Sequence, residues 1–347
     1  MANILGLLFL SLLALPGCAR FLDKAPVELA IIEEAVAEVQ EDQIGETAGK
    51  HFNEPRFIVI PPGARPGEPV TIGYSDNFAD SGREFQAVLL DSRGRRITKA
   101  VFFDLDRQEG EPALKAALMA VPSTAITGNA SIRIEAGNET IRDLPFTITD
   151  REFHSETVAL NQANTDLRTR PDPQRTAESE QLWVILSRTG TKVYATGPFE
   201  RPVTSNRRTS FYGSRRVYEY SDGKTDTTIH AGVDFGVPTG TEVRASAAGR
   251  VALAKNRILT GNTVVLEHLP GAYSLYYHMD SIAVGEGSVV EAGTILGASG
   301  ATGLATGPHL HWEIRVSGEN ADPDAFLAHP ILDKSDIINR MRNVNGE

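Results

Sequence analysis

The spacing of hydrophobic positions changes several times along this chain, and each change marks a different kind of segment. From Ile4 to Leu15 the residues are almost continuously apolar, and no charged side chain occurs between Met1 and Ala19. That run is shorter than the ~20 residues a spanning helix needs, and it reads as the core of a signal peptide. Val27 to Val39 places Leu29, Ile32, Val36 and Val39 on one face of a short helix. Residues 43–56 carry Gly45, Gly49, Asn53 and Pro55 without periodicity and read as a linker. From Phe57 to Asp150 the pattern turns to period two. Phe57–Ile60, Val70–Ile72, Phe85–Leu90, Ile97–Phe103, Ala113–Val121, Ile132–Ile134 and Leu144–Ile148 are short runs between turn residues, and Asp91–Gly94 fits a hairpin turn. Such a series predicts an antiparallel β-sandwich, immunoglobulin-like in general form. Residues 151–195 are polar and interrupted by Pro171 and Pro173, and Thr176 to Arg188 reads as a helix around Leu182, Trp183 and Leu186. From Pro198 to about Phe326 the chain is glycine-rich with β-alternation, as in Thr263–His268. The expected fold class is mainly β. It divides into a signal peptide (1–17), an N-terminal helix and linker (18–56), a sandwich (57–150), a linker with one helix (151–195), a second β domain (196–330) and a tail (331–347).

Composition sharpens this division. The chain has 347 residues, enough for two cores, and 41% hydrophobic with 23% charged residues is ordinary for a folded protein. A formal charge of −11 gives no support to the basic footprint of a nucleic-acid binder, and no nucleic-acid partner is expected. Residues 196–330 carry 11 basic and 14 acidic side chains, so most of the acidity lies elsewhere. Cys18 is the only cysteine, which excludes an internal disulfide framework and any zinc site built on two or more thiolates. It closes Leu15-Pro16-Gly17-Cys18, which resembles a bacterial lipobox. Two features depart from that pattern: no Lys or Arg precedes the apolar run, and Pro16 stands where a small residue is commoner. The expectation is an exported protein of the cell envelope or periplasm, anchored to a membrane through lipid on Cys18. The alternative is a cleaved secretory signal with an incidental cysteine.

Candidate chemistry is concentrated in the second β domain. His230-Ala-Gly-Val-Asp234, Tyr277-His278-Met279 and His309-Leu-His311-Trp-Glu313 contain four of the eight histidines. Alternate side chains share a strand face, so His309 and His311 project together, ~7 Å apart along the chain. By the same period His230 and Asp234 share a face, and Gly232 between them is expected to leave room for an ion. Imidazole and carboxylate ligands suit Zn²⁺, and three protein ligands leave a fourth position open, as in catalytic sites. Zinc supplies Lewis acidity there, and a nearby imidazole can move protons near neutral pH.

Taken together, these residues closely resemble the lysostaphin/LytM-type zinc metalloendopeptidases. The resemblance extends through Ser210-Phe-Tyr-Gly-Ser-Arg-Arg216, Gly232–Phe235, Gly240–Val243, Ala247–Val251, Gly261–Val265 and Gly300–Glu313. Phe211 stands where that family often has proline. The resemblance implies a duplicated hybrid motif fold, with His230, Asp234 and His311 as zinc ligands and His278 and His309 as the catalytic pair. It also implies peptidoglycan stem peptides as substrate and hydrolysis of their cross-links, with a regulatory protein partner as a further possibility within the family. The alternative is a degenerate, non-catalytic module that binds or activates other wall hydrolases; loss of ligands would mark it. Gly240–Val251 and Gly287–Leu296 also resemble the half-motifs of biotinyl carriers, but no lysine occupies the turn a carrier would modify. Elsewhere, His268 and Trp312 read as structural and His51, His154 and His329 as solvated. Arg207, Arg208, Arg215 and Arg216 read as a solvated basic loop.

Overall fold

The computed structural model describes residues 56–76, 84–106, 113–188 and 190–343. The apolar N-terminal run, Cys18, the 27–39 stretch and His51 lie outside the described residues. Among those described, no helix is long and apolar enough to cross a membrane.

The period-two segments form β1 (Arg56–Ile60), β2 (Gly63–Ala64), β3 (Pro69–Asp76), β4 (Gln86–Leu90), β5 (Arg96–Val101), β6 (Phe103–Asp104), β7 (Ala113–Ala120), β8 (Gly128–Ala136) and β9 (Glu139–Ile148). They make two sheets, in the orders β1-β3-β7-β6 and β2-β9-β8-β4-β5. Ile72 and Met119 from the first sheet share a core with Leu89, Ile132, Ile134 and Ile148 from the second. In the β4–β5 hairpin the Asp91 carboxylate accepts from the Arg93 and Arg95 amides, both at 2.9 Å, and Gly94 takes a positive φ of 72°.

Strand β7 has no polar face, because both of its faces are covered. Ala117 and Met119 point into the core between the two sheets. Leu114, Ala116, Leu118 and Ala120 belong instead to the apolar cluster that includes Leu310, Trp312 and Ile314 of the glycine-rich domain, and β7 touches β21 and β22. The sandwich and that domain are thus joined through a continuous apolar cluster.

The segment read as a linker contains more structure than its polarity suggests: β10 (Ser155–Ala159), α1 (Gln162–Thr169) and α2 (Pro173–Leu186). The interior side chains of α1 are polar, Asn164 and Thr165, so no apolar stripe announces it. Asn161 caps its start by accepting from the Asn164 amide. Pro173 begins α2 rather than interrupting it, at the first helical position behind the cap Asp172. Leu186 of α2 is buried, whereas Trp183 is 62% exposed.

The remaining strands are β11 (Arg208–Ser210), β12 (Arg215–Glu219), β13 (Thr225–Ile229), β14 (Val233–Phe235), β15 (Glu242–Arg244), β16 (Gly249–Arg257), β17 (Gly261–Leu269), β18 (Ala272–Ile282), β19 (Val289–Val290), β20 (Ile295–Ser299), β21 (Leu310–Val316) and β22 (Glu319–Ala321). Their main path is β11-β14-β21-β18-β17-β16-β19, antiparallel throughout, while β10, β12 and β13 form a separate three-stranded sheet. Two helices follow, α3 (Pro323–Ala328) and α4 (Lys334–Asn343). In the tail, α4 buries Ile337 and Met341, and Gly73 of β3 lacks the Cβ that would collide with Ile337.

His268 is buried and structural, as the alternation of β17 suggests. Its Nδ1 lies 2.8 Å from the Ala248 carbonyl and its Nε2 2.7 Å from Ser274 Oγ. Burial lowers its pKa from 6.5 to about 4. As pH falls the unfolded chain takes up this proton first, so the stability from a neutral His268 is complete above pH 6.5 and is lost between about 6.5 and 4. The loss amounts to about 3 kcal/mol. Urea midpoints of His268→Gln should therefore vary less over that window than those of the parent, and parallel curves would contradict the assignment.

Candidate active site

Strand register brings two of the chemical side chains together. Ser210 on β11 faces Asp234 on β14, Asp234 faces His311 on β21, and His311 faces Tyr277 on β18. This row across four adjacent strands sets the Asp234 carboxylate beside the His311 ring, with Tyr277 stacked on that ring at 5.2 Å. His230 follows β13 and is fixed by its amide, which donates to the Ser214 carbonyl. Its Nε2 lies 3.1 Å from Asp234 Oδ1 and 3.0 Å from His311 Nδ1, and His311 Nδ1 lies 2.8 Å from the same Oδ1. Gly232 does not open space for an ion, as the sequence reading had it: a Cβ there would collide with the Trp312 carbonyl. The glycine lets β14 approach β21.

The outer atoms of this cluster determine what its inner atoms can do. His230 Nδ1 lies 2.8 Å from the Phe211 carbonyl, which can only accept, so Nδ1 carries the proton and Nε2 points inward with a lone pair. His311 Nε2 faces the Glu313 carboxylate at 3.5 Å, which leaves Nδ1 as the inward acceptor. Asp234 Oδ1 completes the set, while its Oδ2 accepts from Arg216 Nη2 at 2.7 Å.

With both rings neutral, three acceptor atoms converge with no donor among them, an arrangement suited to a cation. Donors sitting about 2 Å from one tetrahedral ion are ~3.3 Å apart, close to the separations seen here. Without an ion, a proton fills that role. Burial opposes charge on His311, but hydrogen bonds to Asp234 and Glu313 outweigh it and raise its pKa to about 9. Burial also opposes ionisation of Asp234, yet the facing imidazoles of His230 and His311 hold its carboxyl well below the usual range. The donor set of two nitrogens and one oxygen fits zinc, the cofactor expected from the sequence.

His278 and His309 complete the cleft. Their ring centroids are 4.7 Å apart, and His309 Nε2 lies 3.9 Å from Asp234 Oδ1. In each ring Nδ1 lies 2.8 Å from a backbone carbonyl, that of Thr302 for His278 and of Gly307 for His309. Each Nε2 is therefore left as an acceptor. His278 holds a left-handed backbone, φ 61°, that few non-glycine residues adopt, and such outliers concentrate at functional positions. Burial lowers its pKa to about 3, with the neighbouring His309 and His311 acting in the same direction. All five predicted side chains line a single cleft of about 510 Å³.

Several contributors were not apparent from the sequence. Glu313 lies two residues beyond His311 on the same strand face, so the period that paired His309 with His311 could have found it. Burial opposes ionisation of Glu313, but Arg315 outweighs it and lowers its pKa to about 2. Of the basic run, Arg207 is exposed, but Arg208, Arg215 and Arg216 are not solvated loop residues. Arg208 pairs with Asp324 at 2.6 Å, Arg215 donates to the Ser123 carbonyl at 2.7 Å, and Arg216 is held by Asp234 and Glu156. These partners lie far away in sequence, so spacing could not reveal them.

A family model for peptidase family M23 matches residues 228–323. The DD-carboxypeptidase/endopeptidase Mpg of Neisseria meningitidis serogroup B is 38% identical over 109 residues, 31% of this chain and 25% of that protein. The peptidoglycan DD-endopeptidase ShyA of Vibrio cholerae is 43% identical over 122 residues, 35% of this chain and 28% of that protein. The chain thus spans about a quarter of the length of these curated relatives. A crystal structure of an M23-type protein from Pseudomonas aeruginosa superposes with a TM-score of 0.52 at 23% identity, covering 76% of this chain and 93% of that one, a likeness of fold. With the family match falling on the segment that supplies the His-Asp-His cluster and both further histidines, this chain carries a peptidase family M23 domain.

Proposed function

We propose that the protein is an exported, zinc-dependent endopeptidase that hydrolyses peptide cross-links of bacterial cell-wall peptidoglycan. The observation that carries this reading is the convergence of His230, Asp234 and His311 beside two imidazoles whose Nε2 atoms face the same cleft. The likeness to relatives named as peptidoglycan DD-endopeptidases supports the substrate class. His230 Nε2, Asp234 Oδ1 and His311 Nδ1 would hold the ion. Zinc bound there supplies Lewis acidity, polarising the scissile carbonyl and lowering the pKa of water. His278 and His309 supply the proton chemistry. With Nδ1 tied to a backbone carbonyl, each ring accepts a proton from the attacking water at Nε2 and can return it to the leaving amine. The same carbonyl contacts keep the rings from turning, so the acceptors are aimed before substrate arrives.

The non-catalytic alternative predicts lost ligands, and all five positions keep side chains able to do this work. A regulatory partner would need a point at which to act on the cleft, and one contact offers it. Asn164 of α1 donates to the Ala305 carbonyl at 3.1 Å, spanning from the linker segment to the loop that precedes His309. A partner that draws α1 aside would widen the cleft. The lost hydrogen bond is worth about 1 kcal/mol, roughly fivefold in an open–closed equilibrium. Asn164→Ala should raise turnover on purified sacculi by up to about that factor, and an unchanged or lower rate would argue against regulation through this contact.

Export and membrane anchoring rest on the N-terminal sequence. Wild-type protein should partition with membranes and Cys18→Ser should not; equal partitioning of the two would remove the lipid anchor.

The roles of the neighbouring histidines separate in a metal assay. His311→Ala should lose both bound zinc and hydrolysis, since only two protein ligands remain. His309→Ala should retain near-stoichiometric zinc while its rate on sacculi falls by roughly 10²–10⁴. His278→Ala should behave like His309→Ala, and combining the two should cost less than the product of the separate losses. A His309→Ala protein that loses zinc, or keeps full activity, would sink these assignments.

A further inference from the structure

Asp234 turns one oxygen toward the imidazoles, and its other oxygen is already engaged. Arg216 Nη2 donates to Oδ2 at 2.7 Å, and Nε of the same guanidinium donates to Oε1 of Glu156. Glu156 lies directly opposite Arg216 in the parallel β10–β12 pair. Glu156 Oε1 also accepts the Ser210 hydroxyl proton at 2.6 Å, and Ser210 Oγ lies 3.1 Å from Nδ1 of His230. Because that hydroxyl is committed to a carboxylate, its oxygen faces the imidazole only as an acceptor. It joins the Phe211 carbonyl in keeping the proton on Nδ1 and the lone pair on Nε2. One carboxylate therefore reaches two of the three inward donors, Asp234 through Arg216 and His230 through Ser210. Its charge also offsets that of Arg216, which unbalanced would repel a cation at the site.

We propose that Glu156 and Arg216 are positioning residues of the metal centre. Arg216 confines Asp234 to single-oxygen ligation, while Glu156 orients Arg216 and sets the His230 tautomer through Ser210. The inference rests on the zinc-site reading above. It assigns to the centre a strand from the segment between the two β domains, outside the residues matched by the family model. A fragment beginning near Arg175 would keep His230, Asp234 and His311 and yet lack this support. An ion pair that served only the fold would affect stability and leave the metal indifferent to its loss.

The test uses the full chain, stripped of metal by chelator. Zinc affinity is measured by competition with a chromophoric chelator, Co²⁺ absorption reports the ligand set, and a thermal melt of each metal-free protein reports the fold. Glu156→Ala is expected to weaken zinc binding by about 10–100-fold, the usual range for groups that support ligands. Glu156→Gln, whose amide oxygen can still accept from Ser210, should lose less. Arg216→Gln should change the visible Co²⁺ spectrum by freeing Oδ2, and Arg216→Lys should restore part of it. Wild-type zinc affinity in Glu156→Ala, or an unaltered Co²⁺ spectrum in Arg216→Gln, would overturn the proposal. Should Glu156→Ala or Arg216→Gln fail to fold, the near-isosteric Glu156→Gln decides: undiminished affinity overturns the proposal, and a loss supports it. If the parent protein binds no zinc, the functional reading falls as well. If the parent binds zinc, His311→Ala loses it and Glu156→Ala binds as the parent does, this inference alone fails.

Discussion

His230 Nε2, Asp234 Oδ1 and His311 Nδ1 meet within about 3 Å of one another, and with both rings neutral each is an acceptor. Acceptors at that separation repel unless a cation or a proton lies between them. Such a cluster persists inside a fold only when the surrounding structure holds it. Each of the three has its outer atom engaged: the His230 ring by the Phe211 carbonyl and Ser210, the Asp234 carboxylate by Arg216, and the His311 ring by Glu313. Those outer contacts set tautomers and orientations, which makes the inner set a ready cation site.

The backbone serves the same end. Asp234 and His311 sit opposite each other on adjacent antiparallel strands, where cross-strand side chains are ~5 Å apart and their geometry is stiff. His278 and His309 are aimed differently, by carbonyls of the loop that runs from Thr302 to Gly307. Asp234 and His311 thus owe their placement to strand pairing, whereas His278, itself on β18, and His309 owe the direction of their rings to a loop. Under the proposed function this division is apt, since metal donors must stay in place and groups that act on a substrate must border an open cleft.

Apolar packing joins this centre to the rest of the described chain. Leu114, Ala116, Leu118 and Ala120 of β7 bury against the glycine-rich domain, and α4 returns from the C-terminal end to pack Ile337 beside β3. Arg151 adds a polar tie, pairing with Asp322 and donating to the Pro66 carbonyl at 2.9 Å. The sandwich is therefore braced against the domain that matches family M23, and β10 follows it to place Glu156 beside the His-Asp-His cluster.

Period-two alternation was enough to locate most strands of the sandwich, because a strand buried on one face must alternate. The candidate chemical residues stand out in the sequence for a related reason. His309 and His311 are two apart on extended chain, and imidazole with carboxylate is a recognisable ligand chemistry. Helix α1 was not legible, because its buried side chains are Asn164 and Thr165 and a helix held by polar contacts leaves no apolar stripe. Nor were Glu156 and Arg216: residues 60 positions apart become partners only when a parallel strand pair sets them side by side. The sequence by itself determined which side chains could bind a metal and carry protons, since that follows from residue type and local spacing. Only the tertiary structure decided which nitrogen of each ring faces inward and which oxygen of Asp234 is free, because both depend on hydrogen-bond partners from other parts of the chain.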